Sequence, residues 1–106
     1  MEKVISKEDI ILNEDIKQLC KKLNVDKLYL FGSILNDNFN QNSDIDFLLS
    51  FKKDLSIEDY TNNYFELYHS LEEVLSCKVD LITENSLSNP YFIEELNKNK
   101  FLIYES

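Results

Sequence analysis

The chain has 106 residues, enough for one domain, and carries 20 Asp and Glu against 11 Lys and no Arg, a net charge of −9. One glycine, one histidine and two cysteines exclude a glycine-rich dinucleotide or P-loop fingerprint, a His-Glu-x-x-His zinc helix, and a four-cysteine or Cys-x-x-Cys site. Excess acid without arginine also excludes a basic surface that tracks phosphates, so no direct nucleic-acid binding is expected. What remains plentiful is carboxylate, and a site in this chain is expected to be built from Asp or Glu. A hydrophobic content of 43% is that of a globular chain. The charged N-terminal residues lack a signal-peptide core, and no stretch is long and apolar enough to cross a membrane. Cys20 and Cys77 read as buried thiols of a reducing compartment, so a cytoplasmic location is expected. Twelve asparagines beside abundant Lys, Ile, Phe and Tyr suggest an AT-rich, prokaryotic genome.

In chain order, the spacing predicts a helical segment over 7–24. Ser6 is its N-cap with Asp9 three residues on, and Asn13 is able to restart it, so that Leu12, Ile16, Leu19, Cys20 and Leu23 share a face. Lys27 to Phe31 reads as a strand closed by Gly32. Residues 34–43 are asparagine-rich and read as a loop that opens with a helical turn. Asp44 to Phe51 reads as a second strand. The clearest helix spans 56–76, with Ser56 as cap, Asp59 behind it, and an apolar stripe from Ile57 through Tyr60, Tyr64, Leu67, Tyr68, Leu71, Val74 and Leu75. A third strand is expected over 78–83, a short helix from Pro90 to about Asn97, and a final strand over 101–104. No linker or repeat divides the chain, so residues 1–106 are expected to form a single domain. The expected fold class is α+β, a small mixed sheet flanked by helices.

Asp44 and Asp46 stand two apart on a predicted strand, so their side chains share a face while Ile45 points into the core. Like charges this close repel, and a divalent cation relieves them. Magnesium takes oxygen ligands, commonly one or two carboxylates plus substrate phosphates. Asp80 lies within a third predicted strand, a place costly for a buried carboxylate without a partner. Three carboxylates on neighbouring strands can hold two Mg²⁺, the arrangement used for in-line displacement at phosphorus. Gly32, the one glycine, ends the first strand where backbone can approach a ligand closely, and Ser33 adds a hydroxyl and an N–H.

Gly32-Ser33, a ten-residue spacer, Asp44-Ile45-Asp46 and then Asp80 resemble the signature of the DNA polymerase beta-like nucleotidyltransferase superfamily. The similarity runs from Leu28-Tyr29-Leu30-Phe31-Gly32-Ser33 through Ser43-Asp44-Ile45-Asp46-Phe47-Leu48 to the Asn89-Pro90-Tyr91 and Ile103-Tyr104-Glu105 ending. Within the superfamily the chain looks like a minimal nucleotidyltransferase, the MNT family, with a polymerase beta palm-like fold. The resemblance implies Mg²⁺-dependent transfer of a nucleoside monophosphate from a nucleoside triphosphate. Asp44 and Asp46 would bind two Mg²⁺, Asp80 would help hold the one that activates the acceptor, and Gly32, Ser33 and Ser43 would bind the nucleotide. It also implies an antitoxin role: adenylylation, with ATP, of a tyrosine on a HEPN-domain toxin in a hetero-oligomeric complex. Where many members carry Arg-Gly three residues after the serine, this chain has Asn36-Asp37. Lys27, Lys52, Lys53 and Lys78 are then the candidate sources of a phosphate-binding charge.

Two other functions fit the same residues. A chain of this fold with weak or no catalysis could neutralise its toxin by binding alone. A transferase acting on a small molecule is the other, set back by a chain too short for an acceptor-binding domain. Ser33 has no His or Lys placed to activate it, so phosphate binding is preferred to nucleophilic attack. His69 reads as a surface residue, the tyrosines 60, 64 and 68 as core and edge packing, and Glu72-Glu73 and Glu94-Glu95 as solvated helix faces.

Overall fold

The computed structural model describes residues 6–35 and 44–106. The first helical segment is two helices, α1 (Lys7–Ile11) and α2 (Glu14–Lys22). Ser6 and Asp9 bond reciprocally in a complete capping box. Asn13 Oδ1 then accepts from the Ile16 N–H at 3.1 Å and begins α2 afresh, as its side chain suggested. Asn24 turns the chain out of α2 in the left-handed region (φ 62°), which asparagine tolerates. The first strand, β1 (Val25–Phe31), therefore starts earlier than its apolar run predicted. A 3-10 turn, Gly32–Leu35, follows. The rest of the expected asparagine-rich loop, including Asn36, Asp37 and Ser43, lies outside the described residues.

Five elements complete the fold after β2 (Ile45–Phe51): α3 (Ile57–Leu75), β3 (Val79–Thr83), a 3-10 turn (Glu84–Ser86), α4 (Pro90–Asn99) and β4 (Phe101–Glu105). Ser56 Oγ caps α3 by accepting from the Asp59 N–H. Asn89 caps α4 by accepting from the Tyr91 and Phe92 N–H groups, with Pro90 in the first turn. Ser76 closes α3 in the left-handed region.

The strands form one mixed sheet in the order β3-β2-β1-β4, with β1 antiparallel to both neighbours and β2 parallel to β3. Parallel neighbours need a crossover, and α3 supplies it. The period of two in β2 divides the molecule into layers. Ile45, Phe47 and Leu49 face one way and pack with Ile16 and Cys20 of α2 and Leu67, Leu71 and Leu75 of α3. Leu48 faces the other way and packs with Phe31 and with Leu96 of α4. Cys20 is buried as expected, whereas Cys77 is only half-buried because it lies at the turn into β3. Asp46, two residues before Leu48 on β2, lies on the α4 side of the sheet.

Candidate active site

The two neighbouring aspartates sit where β2 begins. Asp44 just precedes the strand, which starts at Ile45 and not at Asp44 as the sequence predicted, and it is exposed. Ile45 is fully buried between the pair and anchors it. The parallel ladder places Asp46 directly opposite Asp80 and Ile45 opposite Val79. Directly paired residues project from the same face, with strands about 4.8 Å apart. The Ile45 N–H donates to the Lys78 carbonyl at 3.0 Å and ties the starts of the two strands together. Asp80 is exposed, so it escapes the burial cost that its mid-strand position suggested.

Gly32 joins this group from β1. Phe31 is paired with Asp46 across the β1–β2 ladder, so the next residue passes beside the Asp46 carboxylate. Gly32 has φ 85°, and a β-carbon on it would collide with Asp46 Oδ2. Both the backbone conformation and the space therefore demand glycine. Ser33 follows in the 3-10 turn. Of the sequence-predicted residues, Gly32, Asp46 and Asp80 come together, Asp44 stands at the mouth of β2, and Ser43 lies outside the described residues.

The charges act as one field. Burial, then Asp80, then Asp44 push the Asp46 carboxyl up to about 6. The same two aspartates help raise the phenol of Tyr68, where Glu72 is the larger cause. Burial and then Asp80 raise Tyr64, and burial, Glu72 and Asp44 raise Cys77. This end of the sheet is a region of negative potential built from oxygen donors, the chemistry that suits a hard cation such as Mg²⁺. Among the described residues no three His, Cys, Asp or Glu side chains converge into a ready-made cage. The donor set still fits an ion held by one or two carboxylates and completed by water or phosphate oxygens.

A model of the family described as "Polymerase beta, Nucleotidyltransferase" matches residues 14–106. The chain belongs to the polymerase beta nucleotidyltransferase family. This nucleotidyltransferase is 34% identical over 102 residues to "Putative protein adenylyltransferase MJ0126" of Methanocaldococcus jannaschii, covering 96% of this chain and 98% of that one. It is 30% identical over 79 residues to "Protein adenylyltransferase MntA" of Thermococcus cleftensis, covering 74% and 76% of the two chains. Among solved structures it superposes on one described as "Crystal structure of the toxin-antitoxin with AMP-PNP", with TM-score 0.67, 24% identity and coverage of 90% of this chain and 75% of that one. A structure described as "Structure of putative minimal nucleotidyltransferase" matches with TM-score 0.66 and 25% identity over 83% and 85% of the chains. The mixed sheet flanked by helices is thus the nucleotidyltransferase fold that the resemblance implied.

Two residues near the nucleotidyltransferase carboxylates escaped the sequence reading. Glu72 is not simply a solvated face: Glu72 Oε2 accepts from the Val79 N–H at 3.2 Å. Tyr64 packs against the core as expected, yet its hydroxyl also donates to the Leu81 carbonyl at 2.6 Å. Both sit on the apolar stripe of α3 or beside it, and only the sheet reveals what they meet. Of the four candidate lysines, Lys27 pairs with Glu105 on β4 at 3.8 Å. Lys52 and Lys53 lie beyond the far end of β2, about 20 Å along the strand from Asp46. Lys78, at the start of β3, is at the carboxylate end.

Proposed function

We propose that this chain is the antitoxin of a HEPN/MNT pair and that it transfers AMP from ATP to a tyrosine of its HEPN toxin. The observation that carries this reading is the in-register Asp46–Asp80 pair, set beside a glycine whose missing β-carbon leaves room for the Asp46 carboxylate. Relatives named as adenylyltransferases, matching 96% and 74% of the chain, favour AMP as the group transferred. The superposition on a toxin–antitoxin holding a nucleotide analogue is in keeping with a toxin partner and ATP. Residues 1–106 act as one nucleotidyltransferase domain in the cytoplasm of a prokaryote.

Asp44 and Asp46 would supply oxygen ligands to two Mg²⁺, and Asp80 would complete the ligands on the acceptor side. When bound, Mg²⁺ neutralises the triphosphate and favours loss of the acceptor's proton. Gly32 and Ser33 let backbone N–H groups reach the β- and γ-phosphates, and Ser43 contacts the nucleotide. The new bond joins the tyrosine oxygen to the α-phosphorus while the bond to pyrophosphate breaks. The protein contributes positioning and charge compensation.

Label transfer tests the reading. With α-labelled ATP, Mg²⁺ and the HEPN protein encoded beside it, the toxin becomes labelled, and Asp44→Asn abolishes the label. A wild-type chain that transfers nothing under these conditions overturns catalysis. Asn36-Asp37 stand where many family members carry Arg-Gly, which favours one second reading, neutralisation by binding alone. In that case Asp46→Asn and Asp80→Asn still protect cells from the toxin.

A further inference from the structure

The edge strand of the sheet carries one of the three aspartates, and α3 holds that strand on both sides of it. Along a strand, the N–H and C=O of one residue point the same way and those of the next point oppositely. The Lys78 carbonyl faces β2, where it accepts from Ile45. Val79 and Leu81 therefore present their polar groups to the open edge, and Asp80 between them faces β2. One outward group of each residue has a partner from the same helix: Glu72 accepts from the Val79 N–H at 3.2 Å, and Tyr64 donates to the Leu81 carbonyl at 2.6 Å. Tyr64 and Glu72 are eight residues apart, about two turns and 12 Å along one side of α3.

We infer that Tyr64 and Glu72 are positioning residues which clamp the backbone either side of Asp80 and so set its carboxylate against Asp46. The inference rests on the reading of Asp80 as a site residue. An edge strand without such partners would be free to fray or slip. The Ile45–Lys78 bond and the Asp46–Asp80 register hold Asp80 from one side, and the clamp holds it from the other. Tyr64 also packs on the core, so Tyr64→Phe removes the hydroxyl and leaves the ring.

The test uses the full chain with ATP, Mg²⁺ and its HEPN partner. Tyr64→Phe/Glu72→Leu is expected to lower kcat for label transfer about tenfold, with KM for ATP within about twofold of wild type. Glu72→Gln keeps an acceptor oxygen, so Tyr64→Phe/Glu72→Gln recovers only the Glu72 share of the loss and Glu72→Gln alone stays near wild type. Independently of activity, the Val79 amide exchanges its hydrogen about tenfold faster in Glu72→Leu but not in Glu72→Gln. Wild-type kcat in the double variant, or an equal loss with Gln and Leu, overturns the clamp. If the wild type transfers no label, the proposed function fails, and exchange at Val79 still decides the clamp. Unchanged protection in Glu72→Leu then overturns it.

Discussion

At the scale of single residues, Gly32 and Asp46 are one device seen from two strands. Gly32→Ala forces a β-carbon against Asp46 Oδ2 and strains a left-handed backbone. We expect it to cost about 1–3 kcal/mol in thermal unfolding and at least about tenfold in label transfer, because the carboxylate must move. Asp46 titrates near 6, above the 3.8 of an unperturbed carboxyl. The folded state therefore binds the proton more tightly than the unfolded state, and stability falls as pH rises from about 4 to about 6, then levels off. Solvent screening at this half-buried site limits the penalty at neutral pH to about 1 kcal/mol. Asp46→Asn should remove that slope and raise the melting temperature at pH 7 while abolishing transfer. A variant with the wild-type slope would place the titration elsewhere.

Among the elements, the caps and the strand ends show what the sequence could and could not reveal. Ser6 with Asp9, Ser56 and Pro90 begin helices where side-chain chemistry said they should, since capping is a contact within one turn. The end-to-end bounds shifted where backbone conformation decided: Asn24 in the left-handed region lets β1 begin at Val25, and Asp44 precedes β2 instead of opening it. Gly32, Asp46 and Asp80 were legible because their residue types are scarce or misplaced for a strand. Their alignment, and the Tyr64 and Glu72 contacts, depend on strand pairing between distant segments, which no local pattern records. Lys78 follows the same logic, being placed at the site by its bond to Ile45. Lys78→Ala should raise KM for ATP several-fold with little change in kcat, since a point charge that meets phosphate adds to ground-state and transition-state binding alike. By contrast, Leu71→Ala in the fully buried α3 face should cost about 2–5 kcal/mol in denaturant unfolding and leave KM unchanged in the fraction that stays folded.

For the whole molecule, a net charge of −9 sets how it meets a partner. A basic toxin surface would be attracted over a Debye length, and the association rate should fall about tenfold between about 0.05 and 0.5 M NaCl, measured by stopped flow. An association rate indifferent to salt would mean that the charge has no part in recognition. The sheet order also governs how the molecule assembles in time. The central strand β1 takes β2 from its near neighbours in sequence, but its other partner, β4, comes from almost the opposite end of the chain, with Lys27 facing Glu105. The β1–β2–α3–β3 unit already contains Gly32, Asp44, Asp46 and Asp80. Closing the longer loop loses more chain entropy before any contact compensates it, so β4 should dock late, after that unit has formed. The carboxylates would then be in register while one flank of β1 is still bare, and the arrival of Ile103 would set the rate at which the native state appears.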